Sequence, residues 1–161
     1  MYVPYNRLPN NARIWIYQSE RMFTEEEEVF ISEKAKVFIE QWTRHGENLK
    51  GSFIIKYQQF LILAVDESFA TASGCSIDAS VHFIQTLEQK LQLDLMDKMR
   101  ISFRNQDHIN VVKMPVFKEY AKTDKIRRET IVFNNTVTTK EDFETKWEVP
   151  AKESWHNRFL V

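Results

Sequence analysis

Six consecutive apolar residues, Phe60–Val65 (FLILAV), constrain this chain more than any other stretch. A strand with one wet face alternates apolar and polar residues. A strand apolar at every position must be covered on both faces, which makes it a central strand. A loop rich in Ser, Ala and Thr follows over residues 67–75, and then a helical pattern to about Leu93. Ile77, Val81, Ile84, Leu87 and Leu91 supply its apolar positions. Cys75, the only cysteine, falls where loop becomes helix. Backbone amides point outward there and stabilise a thiolate or a bound anion.

Upstream, Ala12–Gln18 (ARIWIYQ) alternates as a strand, with Ile14 and Ile16 on one face and Trp15 and Tyr17 on the other. Thr24 with Glu27 matches a capping box, and Ile31, Ala35, Phe38 and Trp42 recur at helical spacing. This helix is expected to run to about Thr43 and stop at His45-Gly46. Ser52–Tyr57 is a second strand, linked to the central one through Gln58-Gln59; without glycine, the type of that turn is open. Arg100–Arg104 alternates as a fourth strand.

The order β-α-β-β-α-β is the ferredoxin-like arrangement. The expected fold is therefore α+β, one domain over residues 1–161, with a core of about 12–104 and a C-terminal elaboration of about 105–161. Within the elaboration, Ile109–Met114 and Thr130–Asn134 read as strands and Pro115–Ala121 as a helix started by proline. Thr138 with Glu141 suggests a cap for a helix near Asp142–Trp147, and Pro150 a last helix carrying Trp155 and Phe159. The elaboration is expected to pack Trp147, Trp155 and Phe159 over Trp15 and Tyr17.

The topology also places a site. Strands one and two run one way and strand three the other, so the first helix-to-strand loop and the strand-to-second-helix loop share one end of the sheet. His45 is expected beside Ser73, Gly74, Cys75, Ser76 and Asp78, with Arg13 and Arg104 approaching the same end. In an enzyme, Cys75 would be the nucleophile, His45 its base and Asp78 an orienting carboxylate or helix cap. Amides near Ser76, with Ser73, Gly74, Arg13 and Arg104, would hold an anion. Simpler roles stand beside these: cysteine as a small core residue, Ser76 and Asp78 as helix stabilisers, His45 as a helix-end residue. His82 lies next to the apolar stripe, and His108 and His156 show no ligand spacing, so no metal is expected.

Net charge is −1, which argues against a nucleic-acid or acidic-membrane binder. RNA-recognition modules share this topology but stack bases on aromatics of strands one and three. Here strand three is aliphatic apart from Phe60, and the basic run Lys122–Arg128 reads as a solvated turn. One cysteine gives no sign of an oxidising compartment, and no signal-peptide pattern or membrane-length apolar run is visible. The expected location is cytoplasmic. No glycine-rich phosphate loop occurs, and no cofactor is expected.

The segments MYVP, ARIWIYQ, QWTRHG, ASGCSID, VFNN and WEVPAKESWH together resemble a small, uncharacterised bacterial family of about this length, over nearly the whole chain. Its members often carry the label "ABC transporter ATPase". That label implies nucleotide hydrolysis, yet neither a Walker A loop nor an LSGGQ-type signature is present. The resemblance thus implies a family without a mechanism. Two functions fit the residues: a binding domain for a small ligand or protein partner, with homodimerisation possible, or a small thiol-dependent or anion-binding enzyme.

Overall fold

In the computed structural model, residues 1–68 and 71–160 are described; Phe69 and Ala70 of the small-residue loop lie outside the described residues, as does Val161. The fold is α+β, and the chain divides into two compact units. The first holds Met1–Met96 with Thr138–Glu141; the second holds Asp97–Val137 with Asp142–Val161. The division therefore falls before the expected fourth strand, not after it.

The first unit is built on a three-stranded antiparallel sheet. Its strands are β1 (Arg13–Gln18), β4 (Lys50–Lys56) and β5 (Phe60–Asp66), in the order β1-β5-β4. β5 is central, and each residue from Phe60 to Val65 is fully buried, as an unbroken apolar strand requires. The tight link from β4 to β5 puts Tyr57 and Gln58 at φ 54° and 55°, and the Gln59 amide donates to the Lys56 carbonyl at 3.1 Å. Two successive positive φ values make a type I′ turn, whose twist matches the strands even without glycine.

Two helices cover one face of this sheet. α1 (Glu25–Gln41) opens on the expected capping box: Thr24 accepts from the Glu27 amide, and the Glu27 carboxylate accepts from the Thr24 amide. α2 (Gly74–Leu91) opens on Ser73. Ile31, Ile39, Trp42, Ile84 and Leu87 from the helical side join Tyr17, Leu61, Leu63 and Val65 in one core. Gly51 marks where α1 presses on the sheet. A Cβ there would meet the Ala64 carbonyl oxygen and the Ile39 Cγ2, both at 3.1 Å.

The buried stripe of α2 is shifted from the expected one. Ser76, Ser80, Ile84 and Leu87 are buried, while Ile77, Val81 and Leu91 are partly exposed and His82 is exposed. The two serines lie flat because each hydroxyl returns to its own backbone: Ser76 Oγ to the Ser73 carbonyl at 2.8 Å and Ser80 Oγ to the Ile77 carbonyl at 2.6 Å.

The second unit carries a four-stranded antiparallel sheet of β6 (Arg100–Asn105), β7 (His108–Lys113), β8 (Ile131–Phe133) and β9 (Glu148–Pro150), in the order β7-β6-β8-β9. The expected fourth strand of the ferredoxin-like sheet is β6, and it pairs here with β7 and β8. Its alternation was legible, with Ile101 and Phe103 inward, but its sheet was not. The hairpin to β7 needs only two linking residues and forms locally.

α3 (Met114–Lys122) packs Phe117 into a core with Ile101, Phe103, Ile126 and Val132. The expected last helix is two short 3₁₀ segments, Ala151–Glu153 and Trp155–Phe159, after β9 has ended at Pro150. α4 (Lys140–Lys146) begins differently from the expected Thr138 cap: the Lys140 and Glu141 amides donate to the Ala12 and Asn10 carbonyls, both at 2.9 Å.

Several aromatic rings find partners within their own unit. Trp15 tilts against Trp42 at 5.9 Å, and Tyr17 belongs to the helix-facing core of the first unit. Trp147 packs on Phe133 and Phe143, and Trp155 on Phe159 and His156.

Candidate functional site

The sheet register brings the expected loops to one end of the first unit. Arg13 at the start of β1 pairs with Val65 near the end of β5, and Lys50 at the start of β4 pairs with Asp66. The connection from α1 to β4 and the loop from β5 to α2 therefore leave the same edge. α1 ends at Gln41, not at Thr43, and its C-cap Trp42 has extended backbone. A small hairpin follows, β2 (Thr43–Arg44) and β3 (Glu47–Asn48). His45 and Gly46 form its turn at φ 49° and 82°. His45 is thus the tip of a hairpin and not the end of a helix.

Trp42 joins hairpin and helix. Its indole is buried between Phe38 and Trp15, and its Nε1 donates to the Ser76 carbonyl in the first turn of α2 at 2.8 Å. A buried N–H that finds an acceptor fixes the two segments side by side. Reading the sequence for reactive side chains missed this residue. A tryptophan at a helix C-terminus, just before a glycine turn, was the available signal.

The expected site residues fall into three groups. Ser73 and Ser76 form a reciprocal cap: the Ser76 amide donates to Ser73 Oγ at 3.2 Å, and the Ser73 amide to Ser76 Oγ at 2.6 Å. Their hydroxyls are spent on the helix end, the structural role. Gly74, Cys75 and Asp78 lie in the exposed first turn of α2, and His45 is exposed on the hairpin. Among the described residues, neither the Cys75 thiol nor the His45 imidazole has a hydrogen-bond partner, so the two side chains form no thiol–imidazole pair. The core role for Cys75 is also overturned, because the residue is exposed.

The two arginines separate. Arg13 stands at the expected sheet end, its guanidinium 4.9 Å from the centroid of Trp15. Arg104 lies on β6 in the second unit, so it does not belong to the first sheet as expected. Its Nε donates to Glu148 Oε2 at 2.8 Å and its guanidinium lies over Phe133 at 5.5 Å. Arg44, not singled out from the sequence, brings a further cation to the hairpin, with its Nε buried and unpartnered among the described residues.

The electrostatics of this end are mixed. The Glu67 carboxylate accepts the Ala72 amide at 2.8 Å, placing an anion close to the start of α2. The amides of Gly74 and Cys75, the first two of the helix, are the groups with a partial positive charge left to offer.

Elsewhere, an open hollow of about 580 Å³ is lined by Gln85, Glu88, Gln89, Gln92, Leu93 and Asp94. It lies along the C-terminal half of α2, roughly 15–25 Å from Cys75 at 1.5 Å rise per residue. Among the described residues, no cluster of His, Cys, Asp and Glu could hold a metal ion, and no helix is long and apolar enough to cross a membrane. Comparison with protein-family models, with curated proteins and with solved structures finds no match.

Proposed function

We propose that this chain is a cytoplasmic binding protein, and that its ligand or partner docks at the end of the first unit's sheet where the Thr43–Asn48 hairpin meets α2. The Trp42–Ser76 hydrogen bond carries this reading. It holds Arg44 and His45 on one segment beside the exposed first turn of α2 on another. Preorganised, exposed groups of mixed polarity suit recognition. Among the described residues His45 makes no hydrogen bond to Cys75, which places the binding reading ahead of the catalytic one.

The test is a two-dimensional amide NMR titration with inorganic phosphate and with acidic and basic peptides. Saturable shifts confined to Arg44–Glu47 and Gly74–Ile77, lost in Arg44→Ala, are the expected result. Shifts elsewhere, or none at millimolar probe, would remove the site. Nucleotide hydrolysis forms no part of the proposal, and micromolar binding of ATP with magnesium would overturn that exclusion.

Exposure of Cys75 supports the second reading, a thiol-dependent enzyme. The rate of alkylation by iodoacetamide separates the two. A rate above that of glutathione, lowered by His45→Ala, would favour the enzyme; a rate equal to glutathione and indifferent to His45 would leave the binding protein.

A further inference from the structure

β7 is an edge strand. It pairs with β6 on one side, and among the described residues nothing pairs with its other side. The register says which backbone groups are free. The β6–β7 hairpin closes on Asn105 and His108 around a two-residue turn, Gln106-Asp107, and such a hairpin closes with both hydrogen bonds of a narrow pair. The same alternation continues to Met114, whose amide donates to the Met99 carbonyl at 3.0 Å. Even-numbered residues of β7 therefore turn their amides and carbonyls to β6. Those of Ile109, Val111 and Lys113 face the open edge.

The side chains are unusual for an open edge. Natural edges are blunted by proline, bulges or inward charges. Here Ile109, Asn110, Val111 and Val112 form a continuous half-buried strip without proline, flanked by exposed Asp107 and His108 at one end and exposed Lys113 at the other. Facing pairs in the hairpin sort them. Asn110 and Val112 lie opposite Phe103 and Ile101 on the core face, and Ile109 and Val111 lie on the reverse face.

We propose that β7 pairs antiparallel with β7 of a second copy of this chain, on a two-fold axis through Asn110. Only a register that sets odd residues against odd residues satisfies the free amides and carbonyls of both strands. Centred on Asn110, that register places Ile109 opposite Val111 of the second copy, twice by symmetry. It also brings Asp107, in the hairpin turn just before β7, to the end of the pairing where Lys113 of the second copy stands, again twice. The apolar pairs meet on one face and the opposite charges cap both ends. Lys113 would repel a strand with a cation at that position; a second copy brings an aspartate. Complementarity of the strand to itself is what selects this occupant. The two four-stranded sheets become one continuous antiparallel sheet.

Sedimentation equilibrium of the full chain, up to about 100 µM, tests the proposal. The expected mass is twice the 19.2 kDa of one chain. Asp107→Lys should weaken the dimer about tenfold or more, because both end pairs become repulsive. The exchange Asp107→Lys with Lys113→Asp should restore it to within about threefold. Val111→Pro removes an amide that the intramolecular ladder does not use, so the dimer should be lost while circular dichroism is kept.

A wild-type chain monomeric over the whole range overturns the proposal. So does a dimer indifferent to both Val111→Pro and Asp107→Lys, or one that the charge exchange fails to restore. A monomer that binds extended peptides along β7 would assign the edge to another occupant and overturn it equally.

Discussion

Trp42 and Trp155 are both indoles packed against aromatic neighbours, one in each unit, yet they are treated differently by their surroundings. Trp42 in the first unit is 2% exposed and its N–H reaches the Ser76 carbonyl. Trp155 in the second stacks on His156 at 3.9 Å between ring centroids, and its buried N–H meets no acceptor among the described residues. His156 Nε2 is likewise buried and unpartnered, although Ser154 Oγ contacts the Nδ1 of the same ring. Around Trp42, the first unit meets a buried polar group with a waiting partner. The second uses aromatic surface, Phe103, Phe117, Trp155 and Phe159, and leaves polar atoms of Trp155 and His156 unmet. The first unit also leaves Arg44 Nε and Ser52 Oγ unmet among the described residues, so the contrast lies around the two indoles: at Trp42 the vulnerability is to loss of a particular bond, at Trp155 and His156 to loss of ring volume and to acid.

The largest expected effect is on ring volume. Phe117 is fully buried and contacts Phe103, His156 and Phe159. Phe117→Ala should destabilise by about 3–5 kcal/mol. Hydrogen exchange should then rise first in β6 and α3; equal loss of protection in β5 would break the contrast between the units.

Acid should act next, and on the second unit. Burial, with the Arg158 charge adding to it, lowers the His156 imidazole from 6.5 to about 4. The unfolded chain then binds a proton that the folded chain refuses between about pH 6.5 and pH 4. Stability falls as pH drops through that window, by roughly 3 kcal/mol when fully expressed, because each tenfold loss of proton affinity is worth about 1.4 kcal/mol. Burial raises the Tyr17 phenol of the first unit above 10, so its effect has the opposite position: stability is present below pH 10 and lost above it. Denaturation followed at several pH values should show His156→Phe removing the acid limb and leaving the alkaline limb. Survival of the acid limb in that variant would assign it to carboxylates instead.

The smallest effect compares the indoles directly. Trp42→Phe and Trp155→Phe lose similar volume, but only the first loses a hydrogen bond, while the second removes an unmatched donor. Trp42→Phe should be the more destabilising by about 1–2 kcal/mol, read from urea midpoints at constant slope. Equal losses would show that the Trp42 bond adds nothing beyond packing.

Much of this was legible residue by residue. The capping box of Thr24 and Glu27, the alternation of β1, and the central position of the apolar strand Phe60–Val65 all follow from local rules. The meeting of the two loops also followed, because antiparallel pairing of adjacent strands decides which ends coincide. The sheet chosen by β6 did not follow. Alternation tells which face of a strand is buried and says nothing about which strand lies beside it. Arg104 was misplaced with it, and Glu148, its partner, is 44 positions away.

The order of residues was therefore enough for the α+β class, most of the elements and the central strand of the first sheet. It was also enough for the end of that sheet where Arg13, His45 and Cys75 stand. These depend on periodicity, capping and turns, which act over a few residues. Four outcomes needed the folded chain: Cys75 is exposed, with no base bonded to it among the described residues, Trp42 ties the hairpin to α2, β6 joins a second sheet, and β7 is the edge of that sheet among the described residues. They depend on which groups meet across dozens of residues, and hydrogen-bond donors and acceptors of one kind are interchangeable until packing chooses between them.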